Sequence, residues 1–327
     1  MKRILPLVVI LVLTLSPTAS APVAAASTLF SGQATAVDAT VAGTHVALAD
    51  TGPLPSSGGA LDASLLEANV PGVLTADVLH AATAAQGDHA RAESAVADVH
   101  LTAGGNDISA GFLMSRASAT CNGGEASVSG SSEIVSLTIN GQTVTVSGQA
   151  NQTVALPNGS VVLNEQSTGS SANGSGGQID VTALHVIVTG LADVAIAKAH
   201  ADIVCGGQTC DRDFITGGGW ITTAGRDSFA VAGGVKSGSL AGHLEYIDHA
   251  NGLKVHGTAV TSYAVTGTTS RHIEGTATIG GSPGTYQVDV ADNGEPGSAD
   301  AFRITLSTGY TASGTLGGGN IQLHTCK

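Results

Sequence analysis

The sequence predicts an all-β protein of two domains. An N-terminal antiparallel β-sandwich-like domain precedes a C-terminal antiparallel meander of about eight strands, which can close into a barrel. Three observations carry this. Apolar residues alternate with polar ones in short runs, the strand period. Gly, Asn and Ser clusters punctuate those runs. The aromatic content then changes abruptly along the chain. Of ten aromatic residues, eight lie in 210–327 (Phe214, Trp220, Phe229, Tyr246, Tyr263, Tyr286, Phe302 and Tyr310), and only Phe30 and Phe112 lie in 27–209.

Residues 1–26 read as a signal peptide. Lys2 and Arg3 precede the apolar run Ile4–Leu15, and the small residues Ala24 and Ala26 mark a cut before Ser27. The apolar run is shorter than the roughly 20 residues of a spanning helix. The expectation is therefore an exported chain, secreted and extracellular.

In 27–209 the clear strand runs are Ala92–Leu101, Ile108–Cys121, Glu133–Ile139, Thr143–Ser147, Ser160–Leu163, Ile179–Thr189 and Val194–Val204. Asn140-Gly141 and Asn158-Gly159 are hairpin turns. Leu61–Glu67 and Thr75–Ala84 read as short helices. Residues 167–177, rich in Ser and Gly, read as a loop. The domain boundary falls near Cys205-Gly-Gly-Gln-Thr-Cys210, so that 210–327 is the second domain. There the expected strands are 214–221, 227–236, 240–248, 252–265, 269–279, 284–292, 300–309 and 312–323. Their short connections make antiparallel neighbours, and an eight-stranded meander loses its edges by closing.

Charge narrows the partners. Without Lys2 and Arg3, 10 basic and 25 acidic residues leave −15, and 27–209 alone carries −12. Nucleic acid and anionic membranes both demand positive patches, so neither is expected. Four cysteines in an exported chain read as two disulfides, and their spacing does not make a zinc site. The expected pairing is Cys121–Cys205 within the first domain. Cys210–Cys326 would then staple the two ends of the second, if its first and last strands meet. Gly217–Gly219 and Gly317–Gly319 lie on those two strands and would permit close backbone approach there.

Four segments, Phe214-Ile-Thr-Gly-Gly-Gly-Trp-Ile221, Gly242-His-Leu-Glu-Tyr-Ile-Asp-His249, Asp292-Asn-Gly-Glu-Pro-Gly297 and Gly318-Gly-Asn-Ile-Gln-Leu-His324, resemble the domain that follows choice-of-anchor modules in bacteria. Residues 27–209 resemble the choice-of-anchor P module itself. The resemblance implies a bacterial exported protein of unassigned biochemical activity. The chain ends Leu323-His-Thr-Cys-Lys327, without a sorting motif or apolar tail, so release rather than membrane anchoring is expected.

Few motifs suggest chemistry. Gly280-Gly-Ser-Pro-Gly284 matches a nucleophile elbow as a string, but the alternating residues after it make a strand rather than the required helix. His243 and His249 are six strand residues apart, about 20 Å, too far for one ion. Leu244 and Tyr246 point to the core and the intervening polar residues point outward. The remaining histidines form no evident cluster. Asp292, Asn293, Glu295 and Asp300 could supply oxygen ligands to calcium, the only cofactor suggested. The leading expectation is a non-catalytic structural or binding module with an extracellular or cell-wall partner. The alternatives are a barrel binding a small molecule or polysaccharide inside it, and a secreted hydrolase, which would need two carboxylates about 5–10 Å apart in a cleft.

Overall fold

The computed structural model describes residues 28–122, 124–206, 213–236 and 239–325. The segment expected to be a signal peptide, Cys210 and Cys326 lie outside them. Every regular element described is a strand: β1 Leu29–Val41, β2 Thr44–Asp50, β3 Gly59–Val70, β4 Leu74–Gln86, β5 His89–Ala103, β6 Asn106–Asn122, β7 Glu125–Val135, β8 Thr138–Ile139, β9 Gln142–Thr143, β10 Gln152–Leu156, β11 Gly159–Ser170, β12 Gly176–Val188 and β13 Ala192–Val204. The chain continues through β14 Phe214–Thr222, β15 Arg226–Lys236, β16 Ser239–Asp248, β17 Leu253–Val265, β18 Ser270–Ile279, β19 Ser282–Ala291, β20 Ala301–Leu306 and β21 Thr311–His324.

Strands β1–β13 form two antiparallel sheets packed face to face. One runs in the order β10-β11-β12-β13-β1-β2, the other β3-β4-β5-β6-β8-β9 with β7 also on β6. Val37, Leu79, Val96, Leu113, Leu184 and Ile196 fill the space between them. Near one end Cys121 on β6 is bonded to Cys205 just past β13, with Cα atoms 5.6 Å apart, so the bridge ties the two sheets together.

Strands β14–β21 form a closed antiparallel barrel. It closes where β14 pairs with β21, with Gly219 opposite Gly319 and Phe214 opposite His324. The interior is filled with side chains. Phe229 stacks on Phe302 with centroids 3.9 Å apart, and Tyr246 and Tyr286 are also fully buried there. Near one end the Tyr246 hydroxyl donates to Asp227 at 2.9 Å, and the Tyr310 hydroxyl donates to Asp248 at 3.0 Å.

The barrel lies against the outer face of the sheet that contains β3–β6. Ala95, Phe112 and Met114 of the sandwich pack on Ala230 and Ile247, and the edge of one ring in the Phe112–Trp220 pair meets the face of the other at 4.9 Å. A second apolar contact joins Ala60 and Ala84 to Phe214 and Ala232.

This packing corrects the reading of two helices. Leu61–Glu67 lies within β3 and Thr75–Ala84 within β4. Alanine favours helix intrinsically, but tertiary burial overrides that weak preference. In β4, Ala81 and Ala85 face the sandwich interior while Ala84 faces the barrel. A strand covered on both faces reads as a continuous apolar run instead of an alternation. Small side chains let the barrel come close: a Cβ on Gly218 would sit 3.2 Å from Ala95 and from His80.

Candidate functional site

A cleft of about 500 Å³ opens where the sandwich meets the barrel. Its sandwich wall is the end of the β3-β4-β5 sheet, carrying Ala60, Ala84, Gln86, His89 and Arg91. Its barrel wall comes from the β14–β21 seam, with Phe214, Gln322 and His324, and from Thr268, Thr269 and the 292–295 loop. Arg91, Gln322 and His324 also border a small void of about 10 Å³ leading to Glu93 and Thr216.

Of the residues expected to hold calcium, Asp292, Asn293 and Glu295 line this wall while Asp300 is fully buried, and their polar groups are engaged within the fold. Asp292 accepts from the Leu323 amide at 2.8 Å and the Gly294 amide at 3.3 Å. Asp300 accepts from the amides of Asn293 and Ile321, both at 2.8 Å. Glu295 accepts from Gln322 Nε2 at 2.8 Å and from Asn320 Nδ2 at 3.3 Å. Asn293 Nδ2 donates to the Ala299 carbonyl at 2.9 Å. Asp292, Glu295 and Asp300 thus latch the 292–300 loop onto β21, Asn293 ties the loop to Ala299, and the four groups do not converge on a common point. Burial away from water pushes the Asp300 carboxyl up to about 6, reinforced by the nearby charges of Asp292 and Glu295.

A different trio could hold a metal: ligand atoms of Asp77 on β4, Asp98 on β5 and His249 after β16 lie within 4.8 Å of one another. Arg226 already stands 3.9 Å from Asp98, so a cation is supplied from within. The same guanidinium lies 4.5 Å over the Trp220 ring and donates to the Gly111 carbonyl.

Behind the cleft, a chain of titratable groups crosses from sandwich to barrel. Asp62 contacts His243 Nδ1 at 2.7 Å, His243 Nε2 faces His80 Nδ1 at 3.3 Å, and His80 Nε2 faces Glu93 at 3.4 Å. Burial drives the His80 pKa down, and the His80 contact helps hold Glu93 below its usual range although burial opposes this. His243 and Glu245 face out of the barrel, as their alternation requires, but onto the sandwich: His243 contacts Asp62 at 2.7 Å and Glu245 accepts from Ser64 at 3.2 Å. His249 points to Asp98, so the two histidines serve separate contacts, in keeping with their spacing. Ser282 lies in a hairpin, just after Gly280 and Gly281 at φ +54° and +85°.

His324 accepts or donates one hydrogen bond, with Thr216 Oγ1 at 2.9 Å. Burial, aided by the charge of Arg91, lowers its pKa to about 4. The folded protein thus keeps His324 neutral where the unfolded chain, near 6.5, takes up a proton. This stability is present above about pH 6.5 and is lost as pH falls toward 4. Asp300, raised to about 6, works in the opposite sense over nearly the same window. The separate contribution is read from a variant: His324→Gln should lose less melting temperature than wild type between pH 7 and pH 4.5. An equal or greater loss would contradict the neutral imidazole of His324.

Arg91, His89, His324 and the His80–His243 contact were not legible as a group, because they are scattered over four strands. One signal was present: Arg91 is among three basic residues in 27–209. Comparison with family models, with curated proteins and with solved structures returned no match.

Proposed function

We propose that this chain is a secreted, non-catalytic binding module of the bacterial cell exterior, and that its ligand site is the cleft between sandwich and barrel. The observation that carries the reading is the place of the open volume. The barrel interior is occupied by Phe229, Tyr246, Tyr286 and Phe302, whereas about 500 Å³ stands open beside the seam. A concave site with apolar walls and a few convergent polar groups, at a junction between two packed units, is the usual form of a ligand pocket. The signal-peptide pattern, the Cys121–Cys205 bridge and the choice-of-anchor resemblance favour an extracellular setting. The partner on this reading is a cell-wall polysaccharide. Co-sedimentation of the secreted protein with purified wall polysaccharide and with whole cells tests it, and retention by both is expected. A protein left wholly in the supernatant in both assays would overturn it.

A further inference from the structure

Among the described residues, Arg91 is a cation without a counter-ion. Other basic side chains of the described structure are matched: Arg116 with Glu133 at 3.6 Å, Arg226 with Asp98 at 3.9 Å, Lys198 with Asp38, Lys254 with Glu67 and Arg271 with Asp213. Arg303 is exposed on the barrel surface, where water solvates it. Arg91 is half-buried on the cleft wall, and its guanidinium makes no hydrogen bond or ion pair among the described residues. Withdrawing a guanidinium from water without a partner is unfavourable. In a chain of net charge −13 carboxylates are plentiful, yet none is placed against it.

We infer that the cleft binds a carboxylate-bearing saccharide, an acidic sugar unit whose carboxylate pairs with Arg91. The inference rests on the binding role proposed above and specifies its ligand. A planar guanidinium matches a carboxylate with two parallel hydrogen bonds. Asp292 and Glu295 on the opposite wall limit the negative charge the cleft accepts, which favours a singly charged sugar acid over a phosphate dianion. The same two carboxylates retain lone pairs for sugar hydroxyls, and Gln322 and Thr269 add neutral polar groups. Phe214 and Leu323 supply apolar surface for the C–H face of the ring.

The test uses the full chain with D-glucuronate and D-glucose, which differ at the carboxylate, followed by NMR of the His324 imidazole and by calorimetry. Glucuronate should bind wild type at least about tenfold more tightly than glucose. Arg91→Gln should remove that preference, and Arg91→Lys, keeping the charge but not the planar fork, should restore part of it. Bound carboxylate should also offset the field of Arg91 and raise the His324 pKa in wild type but not in Arg91→Gln. Equal binding of the two sugars, undiminished glucuronate binding by Arg91→Gln, or no binding of either sugar would overturn the inference. Its failure is distinguishable from that of the broader role. Retention on wall polysaccharide without a glucuronate preference leaves the binding role standing. Arg91-dependent glucuronate binding without wall retention leaves the ligand class standing and removes the wall as partner.

Discussion

Gly319→Ala should lower the melting temperature by on the order of 10 °C, whereas Gly309→Ala should lower it by only a few degrees. Both glycines have positive φ, +98° and +87°, and both substitutions carry the backbone cost of an L-residue there, about 1–2 kcal/mol. They differ in what the new Cβ meets. At Gly309 nothing lies within 4 Å, while at Gly319 the Cβ would fall 2.1 Å from the Gly218 carbonyl oxygen and 2.4 Å from the Gly219 Cα. Those are backbone atoms of the strand across the seam and cannot rotate aside. Overpacking adds roughly 1–3 kcal/mol, and a protein of this size loses about 2–4 °C per kcal/mol. The Gly319 amide also donates to Glu133 of the sandwich at 3.0 Å, so strain at the seam reaches the junction. Calorimetry of the two variants decides this. Equal losses would show that the barrel does not close as tightly as the β14–β21 pairing requires.

Loss of the Cys121–Cys205 bridge should be the second large effect. The bridge spans a sequence separation of 84 residues. Closing a loop of that size restricts the unfolded chain by about 4–5 kcal/mol on the chain-entropy model, with native strain and residual structure reducing it. The bridge also lies at the Phe30, Ile179 and Ile203 end of the sandwich, against which Cys121 packs. The Cys121→Ser, Cys205→Ser double variant should melt well below wild type, and its hydrogen exchange should accelerate first in β1 and β13. A melting temperature unchanged from wild type would contradict the role given to this bridge.

How far the sequence foretold the structure depended on what covers each strand. Strands β17–β21 alternate between the barrel core and the outside, so their patterns are clear, while β14–β16 also pack on the sandwich but keep explicit turns. The expected 214–221, 240–248 and 269–279 became Phe214–Thr222, Ser239–Asp248 and Ser270–Ile279. The seam glycines were legible for the same reason, since triplets on the first and last strands have few other uses. In the sandwich, β4 is covered on both sides and its alanines imitate a helix. Strands β1 and β2, rich in Ala, Thr and Val, did not stand out as strands. The cleft itself was not legible at all. Its walls come from β3, β4 and β5 on one side and from the seam and the 292–295 loop on the other, and only docking brings Arg91 beside His324. The Asp292–Asp300 loop stood out in the sequence for oxygen-bearing side chains that could take calcium. Their use, holding backbone amides of β21, depends on barrel closure and is invisible in spacing.

The central claim is that ligand enters the cleft between sandwich and barrel, and a cleft-filling variant tests it most directly. Thr269 lies on the wall of that cleft and is exposed, so an indole there should fill the opening without disturbing either core. Wall-polysaccharide co-sedimentation of Thr269→Trp is the measurement, beside wild type and with both melting temperatures recorded. The account predicts at least about a tenfold loss of binding at an unchanged melting temperature. Binding equal to wild type by a folded Thr269→Trp protein would contradict it.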